Sequence, residues 1–220
     1  MGPSLAFVSG KDAFHRVPFR LFLWGLLVIP LFSASFAADN PSGPNSPGHA
    51  AKARVENFSL PDLEGKSHEL YGQNESRVVV LIFTTTGCPI IQKSVPKIKA
   101  LRDRFGKGVA FWLSNSTPQD DIAAIREEAR EFGIDLPILL DRSQSIARAL
   151  QATRTAEAFC IDPKNRSLLY RGAIDDQLGY GTERKKASHA YLENALNNFL
   201  AAKKINPART EVRGCRIQFN

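Results

Sequence analysis

The chain has 220 residues, of which 43% are hydrophobic and 23% charged, with 15 Gly and 13 Pro, a usage that excludes collagen-like and disordered classes and predicts one domain or at most two small ones. Its formal charge is +7 at pH 7. That surplus is spread along the chain without interleaved aromatics, so nucleic acid is not an expected partner.

Lys11, Arg16 and Arg20 face only Asp12 in the first 37 positions, so the remainder carries +5. An uncharged apolar run, Leu21 to Phe32, follows. As a helix it spans about 18 Å, short of the ~30 Å hydrocarbon core, so a stable membrane anchor is not expected. Ser35 and Ala37 supply a small-x-small cleavage site, which predicts a signal peptide over residues 1–37, with Ala38 as the next choice of cut. An uncleaved anchor is the alternative. Residues 38–53 are rich in Pro, Gly, Ser and Asn and read as a flexible linker. The folded domain is expected over 54–205, followed by a C-terminal tail, 206–220. An exported chain meets an oxidising compartment, where thiol chemistry persists.

Within the domain, Val55, Phe58 and Leu60 suggest an extended lead-in and 61–66 a turn. Residues 77–83 form a continuous β-branched and aromatic run, the mark of a strand buried on both faces. Ile91, Val95, Ile98, Leu101 and Phe105 then fall on one helical face. A second buried strand fits 109–113. Thr117, Pro118 and Asp120 read as a helix start for the stripe Ile122, Ile125, Ala129 and Phe132, which Gly133 ends. A strand over 136–140, a short helix over 143–150, strands at 158–161 and 168–173 joined by a turn at 162–165, and a closing helix through Tyr191 to Leu200 complete the order. Alternating βαβ units with a late hairpin predict an α/β fold, a three-layer α/β/α sandwich with a mixed central sheet.

Cys88 stands at a strand-to-helix junction and is followed by Pro89, a favoured first helical residue. At a helix N-terminus the first-turn amides and the positive end of the macrodipole favour thiolate over thiol. The competing reading is a small buried hydrophobe filling a turn. Cys160 lies mid-strand and reads as a packed apolar group. Cys215 sits in a polar tail beside Gly214, where it either folds back onto Cys88 or pairs with Cys160. His68 and His189 lack partners at ligand spacing, so neither a metal nor any other cofactor is expected. Asp175 and Asp176 read as a solvated turn, and Arg184, Lys185 and Lys186 as the solvated start of the last helix.

The order strand, Thr84-Thr-Thr-Gly-Cys88-Pro89, helix with Pro96 resembles the thioredoxin-like superfamily. The lead-in 57–66, the stretches 152–159 and 170–176, and Gly214-Cys215 resemble its redoxin (AhpC/TSA-like) branch, in particular exported members. The resemblance implies that Cys88 is the nucleophile of an exported thiol-disulfide oxidoreductase, with Cys215 as the resolving candidate. Thioredoxins carry a second cysteine where Ile91 stands, so a Cys-x-x-Cys disulfide is excluded, and copper-handling relatives carry one where Gln92 stands. Peroxiredoxins use a threonine at the place of Thr85 and an arginine close to that of Arg154 to hold thiolate and peroxide, but a proline where this chain has Leu81. Thr155-Ala156 replaces the Thr-cis-Pro pair of the substrate loop, and a trans bond is expected there. Two alternatives follow: a peroxiredoxin-like peroxide reductase, and a non-catalytic thioredoxin-fold binding module. The implied partners are a thiol or disulfide protein or a small peroxide, and an external thiol reductant.

Overall fold

The computed structural model describes residues 53–179 and 181–220. The expected signal peptide and nearly all of the expected linker lie outside the described residues. The lead-in forms a small antiparallel hairpin, β1 (Ser59–Pro61) and β2 (Ser67–Glu69). The Asp62 carboxylate shapes its turn by accepting from the Glu64 and Lys66 amides, each at 2.9 Å.

The central sheet contains β3 (Val78–Thr84), β4 (Val109–Asn115), β5 (Ile138–Leu140), β6 (Glu157–Asp162) and β7 (Ser167–Ala173), in the order β5-β4-β3-β6-β7. β3, β4 and β5 run parallel, and β6 is antiparallel to both β3 and β7. Every residue of β3 is buried, as its unbroken apolar run demands of a strand covered on both faces.

Alternate residues of β3 enter different cores. Val78, Val80 and Ile82 pack with Ile91 and Ile98 of α1 (Pro89–Phe105), Ile125 of α2 (Ile122–Glu131) and Leu192 and Leu196 of α4 (Tyr191–Leu200). Val79, Leu81 and Phe83 pack with Ile146 and Ala147 of α3 (Ser145–Ala149), with the lead-in, and with Ile217 from the chain end. The three layers predicted from the βαβ alternation are present, and the fold is thioredoxin-like.

Local expectations are corrected at Thr117, Asp175, Asp176 and Arg184, and two stretches gain structure that the sequence left open. Thr117 does not cap α2, which begins at Ile122 behind Asp121. The Thr117 and Asp120 side chains instead bond Thr85 and Thr86 in the loop before Cys88. A second small hairpin, β8 (Leu178–Gly179) and β9 (Thr182–Glu183), occupies a stretch without a periodic signal. Asp175 and Asp176 are not a solvated turn: Asp175 is buried and paired with Lys97 Nζ at 2.6 Å, and Asp176 accepts from the Ser188 and His189 amides and from Arg184. Arg184 is therefore held in an ion pair rather than opening the last helix, which starts at Tyr191. Finally, the polar tail lies along the domain, with Gly214 and Ile217 buried.

Candidate active site

The site is built where β3 gives way to α1. Gly87 takes φ 75, a left-handed turn open to glycine, and Cys88 follows in extended geometry as the N-cap with Pro89 at the first helical position. Two carboxylates from the chain that follows β4 fix this loop. Asp120 accepts from the Thr85 hydroxyl at 3.0 Å, the Thr86 amide at 2.7 Å and the Asn115 amide group at 2.7 Å. Glu128 of α2 accepts from the Gly87 amide at 2.6 Å. Arg142 holds the Asp120 turn in place by donating to the carbonyls of Thr117, Pro118 and Asp120. Glu128 and Arg142 are not signalled by the sequence, and Asp120 is signalled only as part of a helix start, because each acts over tens of residues.

The Cys88 sulfur is 1% exposed. It lies 3.0 Å from the Cys215 sulfur and 3.0 Å from the Thr155 hydroxyl oxygen. Burial pushes its pKa up, but hydrogen bonds from the Cys215 thiol and the Thr155 hydroxyl, with the amides of Ile91 and Cys215, outweigh it and hold Cys88 below the ordinary thiol range. Ile91 is the third residue of α1, so the helix terminus acts on the sulfur as the junction predicts, although the neutral side chain makes no capping hydrogen bond. Cys215 moves the opposite way, to about 11, through burial and through donating to Cys88. The two sulfurs in contact thus shift in opposite directions, Cys88 toward the thiolate and Cys215 toward the thiol.

Thr155 joins both ends of this arrangement. It is fully buried, and its hydroxyl also accepts from the Cys215 amide at 3.0 Å while its own amide donates to the Cys215 carbonyl at 2.9 Å. Ala156 sits at φ 57, which is costly for a residue with a Cβ, and its amide donates to Phe83 O at 2.8 Å at the end of β3. The Thr155-Ala156 bond is trans, as its composition predicts. These two residues do not form an open substrate loop, since both are buried under the tail.

Two other expected site residues have hydrogen-bond partners other than the sulfur. The Thr85 hydroxyl, taken as a holder of thiolate, is engaged by Asp120 and by Thr117 at 2.9 Å. Arg154, taken as a charge partner, donates to the Gly214 carbonyl at 2.9 Å and acts on the tail backbone instead. Cys160 is packed in the core with its pKa driven up by burial, as a strand cysteine among apolar neighbours should be. All three cysteines are free thiols. Among the described residues no group of three His, Cys, Asp or Glu side chains could hold a metal ion, and no helix is long and apolar enough to cross a membrane.

A family model described as the AhpC/TSA family matches residues 51–167. The chain belongs to the AhpC/TSA family. Comparison with curated protein sequences gives no match. Among solved structures, this AhpC/TSA chain is similar to a hypothetical protein from Sinorhizobium meliloti, with 28% identity, 79% of this chain and 96% of that one covered, and a TM-score of 0.66. It also resembles peroxidoxin BcpB from Mycobacterium tuberculosis, with 21% identity, coverage of 69% and 97%, and a TM-score of 0.52. A thiol-disulfide oxidoreductase from Bacteroides fragilis matches with 15% identity, coverage of 68% and 98%, and a TM-score of 0.50. The last two, at such low identity, bear on the fold, which is that of the thioredoxin-like redoxins.

Proposed function

We propose that this AhpC/TSA-family protein is an exported thiol-disulfide oxidoreductase in which Cys88 is the nucleophile and Cys215 resolves the intermediate. The observation that carries the reading is the 3.0 Å contact between the Cys88 sulfur, at the N-terminus of α1, and the Cys215 sulfur. The Cys88 thiolate attacks one sulfur of a disulfide substrate, the substrate S–S bond breaks, and the departing thiolate takes a proton. Cys215 then loses its proton and attacks Cys88, releasing the second substrate thiol and leaving an internal disulfide. Two protein thiols are oxidised and one substrate disulfide is reduced to two thiols. An external thiol reductant returns the pair to its starting state.

The division of labour follows from the pKa directions. Attack needs the anion, which the hydrogen bonds around Cys88 favour. Thr155 supports both steps by binding the Cys88 sulfur and the Cys215 amide through one hydroxyl. Peroxide reduction has less support, because Thr85 and Arg154 are engaged elsewhere and Leu81 stands in the place of a proline. The contact between the two sulfurs favours an enzyme over a non-catalytic binding module. Export is supported by the basic start, the apolar run Leu21 to Phe32 and the small residues before position 38, and fits a redox pair that must survive outside a reducing cytosol.

A Cys215→Ala variant mixed with a small aromatic disulfide tests the reading. The expected result is a stable mixed disulfide on Cys88, detected by intact mass and peptide mapping, where the parent protein instead loses two thiols and retains no adduct. An adduct on Cys160, or none, would contradict it.

A further inference from the structure

The chain end is seated on the domain on both sides of Cys215. The Thr155 amide donates to the Cys215 carbonyl at 2.9 Å and the Ile217 amide to the Thr153 carbonyl at 3.0 Å, with Arg154 and Arg216 facing each other as an antiparallel bridge. Upstream, the Thr210 amide donates to the Arg171 carbonyl at 3.1 Å. Downstream, Ile217 is buried in the second core, and the Gln144 side chain donates to the Gln218 carbonyl at 2.6 Å. The fit is close enough to need glycine: a Cβ at Gly214 would overlap the Thr155 carbonyl, and one at Gly179 would come to 2.7 Å from Arg213 Cβ. The space left between Ile90, Ser94, Ala156 and Gly214 is about 20 Å³, room for one water.

A polypeptide substrate presenting a disulfide beside Cys88 would need the backbone edge at Thr153 and Thr155, since unpaired amides and carbonyls next to a reactive sulfur are what an extended chain pairs with. That edge is occupied. We propose that residues 210–217 form a built-in strap that holds this edge in cis and restricts the site to low-molecular-weight disulfides. The proposal rests on the thiol-disulfide reading above and names its substrate class. A small disulfide needs only that the half-exposed Cys215 side chain rotate away from Cys88. A polypeptide needs the strap backbone itself to leave, breaking its hydrogen bonds and withdrawing Ile217.

The experiment oxidises the reduced full chain with two probes that share a leaving group: bis(2-hydroxyethyl) disulfide, and an eight-residue peptide whose central cysteine is joined to 2-mercaptoethanol. Loss of the Cys88 and Cys215 thiols is followed by mass spectrometry. With the parent protein the small disulfide should react at least about tenfold faster, the factor expected if even one or two net backbone hydrogen bonds must be given up. Gly214→Val should dislodge the strap and close that gap, read as the ratio of the two Cys88 rates because the strap also carries the Cys215 donors to the Cys88 sulfur. Ile217→Asn, which loosens the strap from its other end, should do the same and serves if the first variant folds poorly. Equal rates for the two probes with the parent protein would overturn the strap while leaving the redox reading in place. A gap that persists in both variants would also overturn it. Failure of both probes to oxidise Cys88 would overturn the redox reading and the strap with it.

Discussion

Cys88 and Cys160 are each 1% exposed, yet their acidities move in opposite directions. Cys160 sits in the middle of β6, where the ladder consumes the backbone amides and the neighbours are apolar, so burial acts alone. Cys88 sits at the start of a helix, where amides are unspent, and a tail brings a thiol and an amide to its other side. Loss of water penalises a thiolate at both places, and only at Cys88 do donors replace the water. Burial is therefore no guide to thiol reactivity without a count of the donors aimed at the sulfur.

The largest effect should come from exchanging the chemistry at these two positions. Cys88→Ser should reduce turnover of a small disulfide to the uncatalysed rate. Cys160→Ala should leave turnover unchanged and cost about 1 kcal/mol or less of stability in a denaturant titration, the scale of a small core truncation. Loss of turnover in the second variant would erase the contrast between the two cysteines.

The pH profile sharpens the same contrast. The rate follows the thiolate fraction, so it rises with pH until Cys88 is ionised and is flat beyond. A folded pKa below the ordinary value puts the midpoint of the rise below that of a free thiol, about pH 8.5. Removing a donor with Thr155→Val should move the rise to higher pH, whereas Cys160→Ala should leave it in place. A parent rate still climbing tenfold per pH unit above pH 8.5 would refute the hydrogen-bond argument. The linked effect on stability has a definite sign. A depressed Cys88 pKa contributes stability that is present above the unfolded value and is lost as pH falls through the folded one. The raised Cys160 pKa makes stability fall as pH rises past the unfolded value near 8.5.

A smaller effect should come from the loop clamp. Asp120→Asn keeps the shape but weakens three charge-assisted hydrogen bonds, two to the loop before Cys88 and one to Asn115, and should cost about 1–3 kcal/mol of stability. Denaturant midpoints of this variant and of Cys160→Ala separate loop anchoring from core packing.

The architecture was legible because it rests on periodicity. The run through β3 could only be buried on both faces, and the spacing of Ile91, Val95 and Ile98 could only face a core. The placing of Cys88 was legible for a related reason: a cysteine before a proline at the end of a buried strand is a helix N-terminus by local rules. Sequence left the partner of Cys215 open, since the choice between Cys88 and Cys160 depends on where a tail without apolar period comes to rest. It did not show the partners that Thr85 and Arg154 take, because a motif gives the position of a side chain and not the competitor for its hydrogen bond. For Thr85 that competitor is Asp120, and for Arg154 it is the Gly214 carbonyl. Thr155 was found as part of a loop, but its bridging hydroxyl depends on a tail sixty residues away.

The most direct test of the central claim is a non-reducing peptide map of the full chain after mild oxidation. The pairing of a buried thiolate with the tail thiol predicts a disulfide between Cys88 and Cys215, with Cys160 recovered as a free thiol. A Cys160–Cys215 disulfide, or a Cys88 that remains reduced while Cys215 is oxidised, would contradict it.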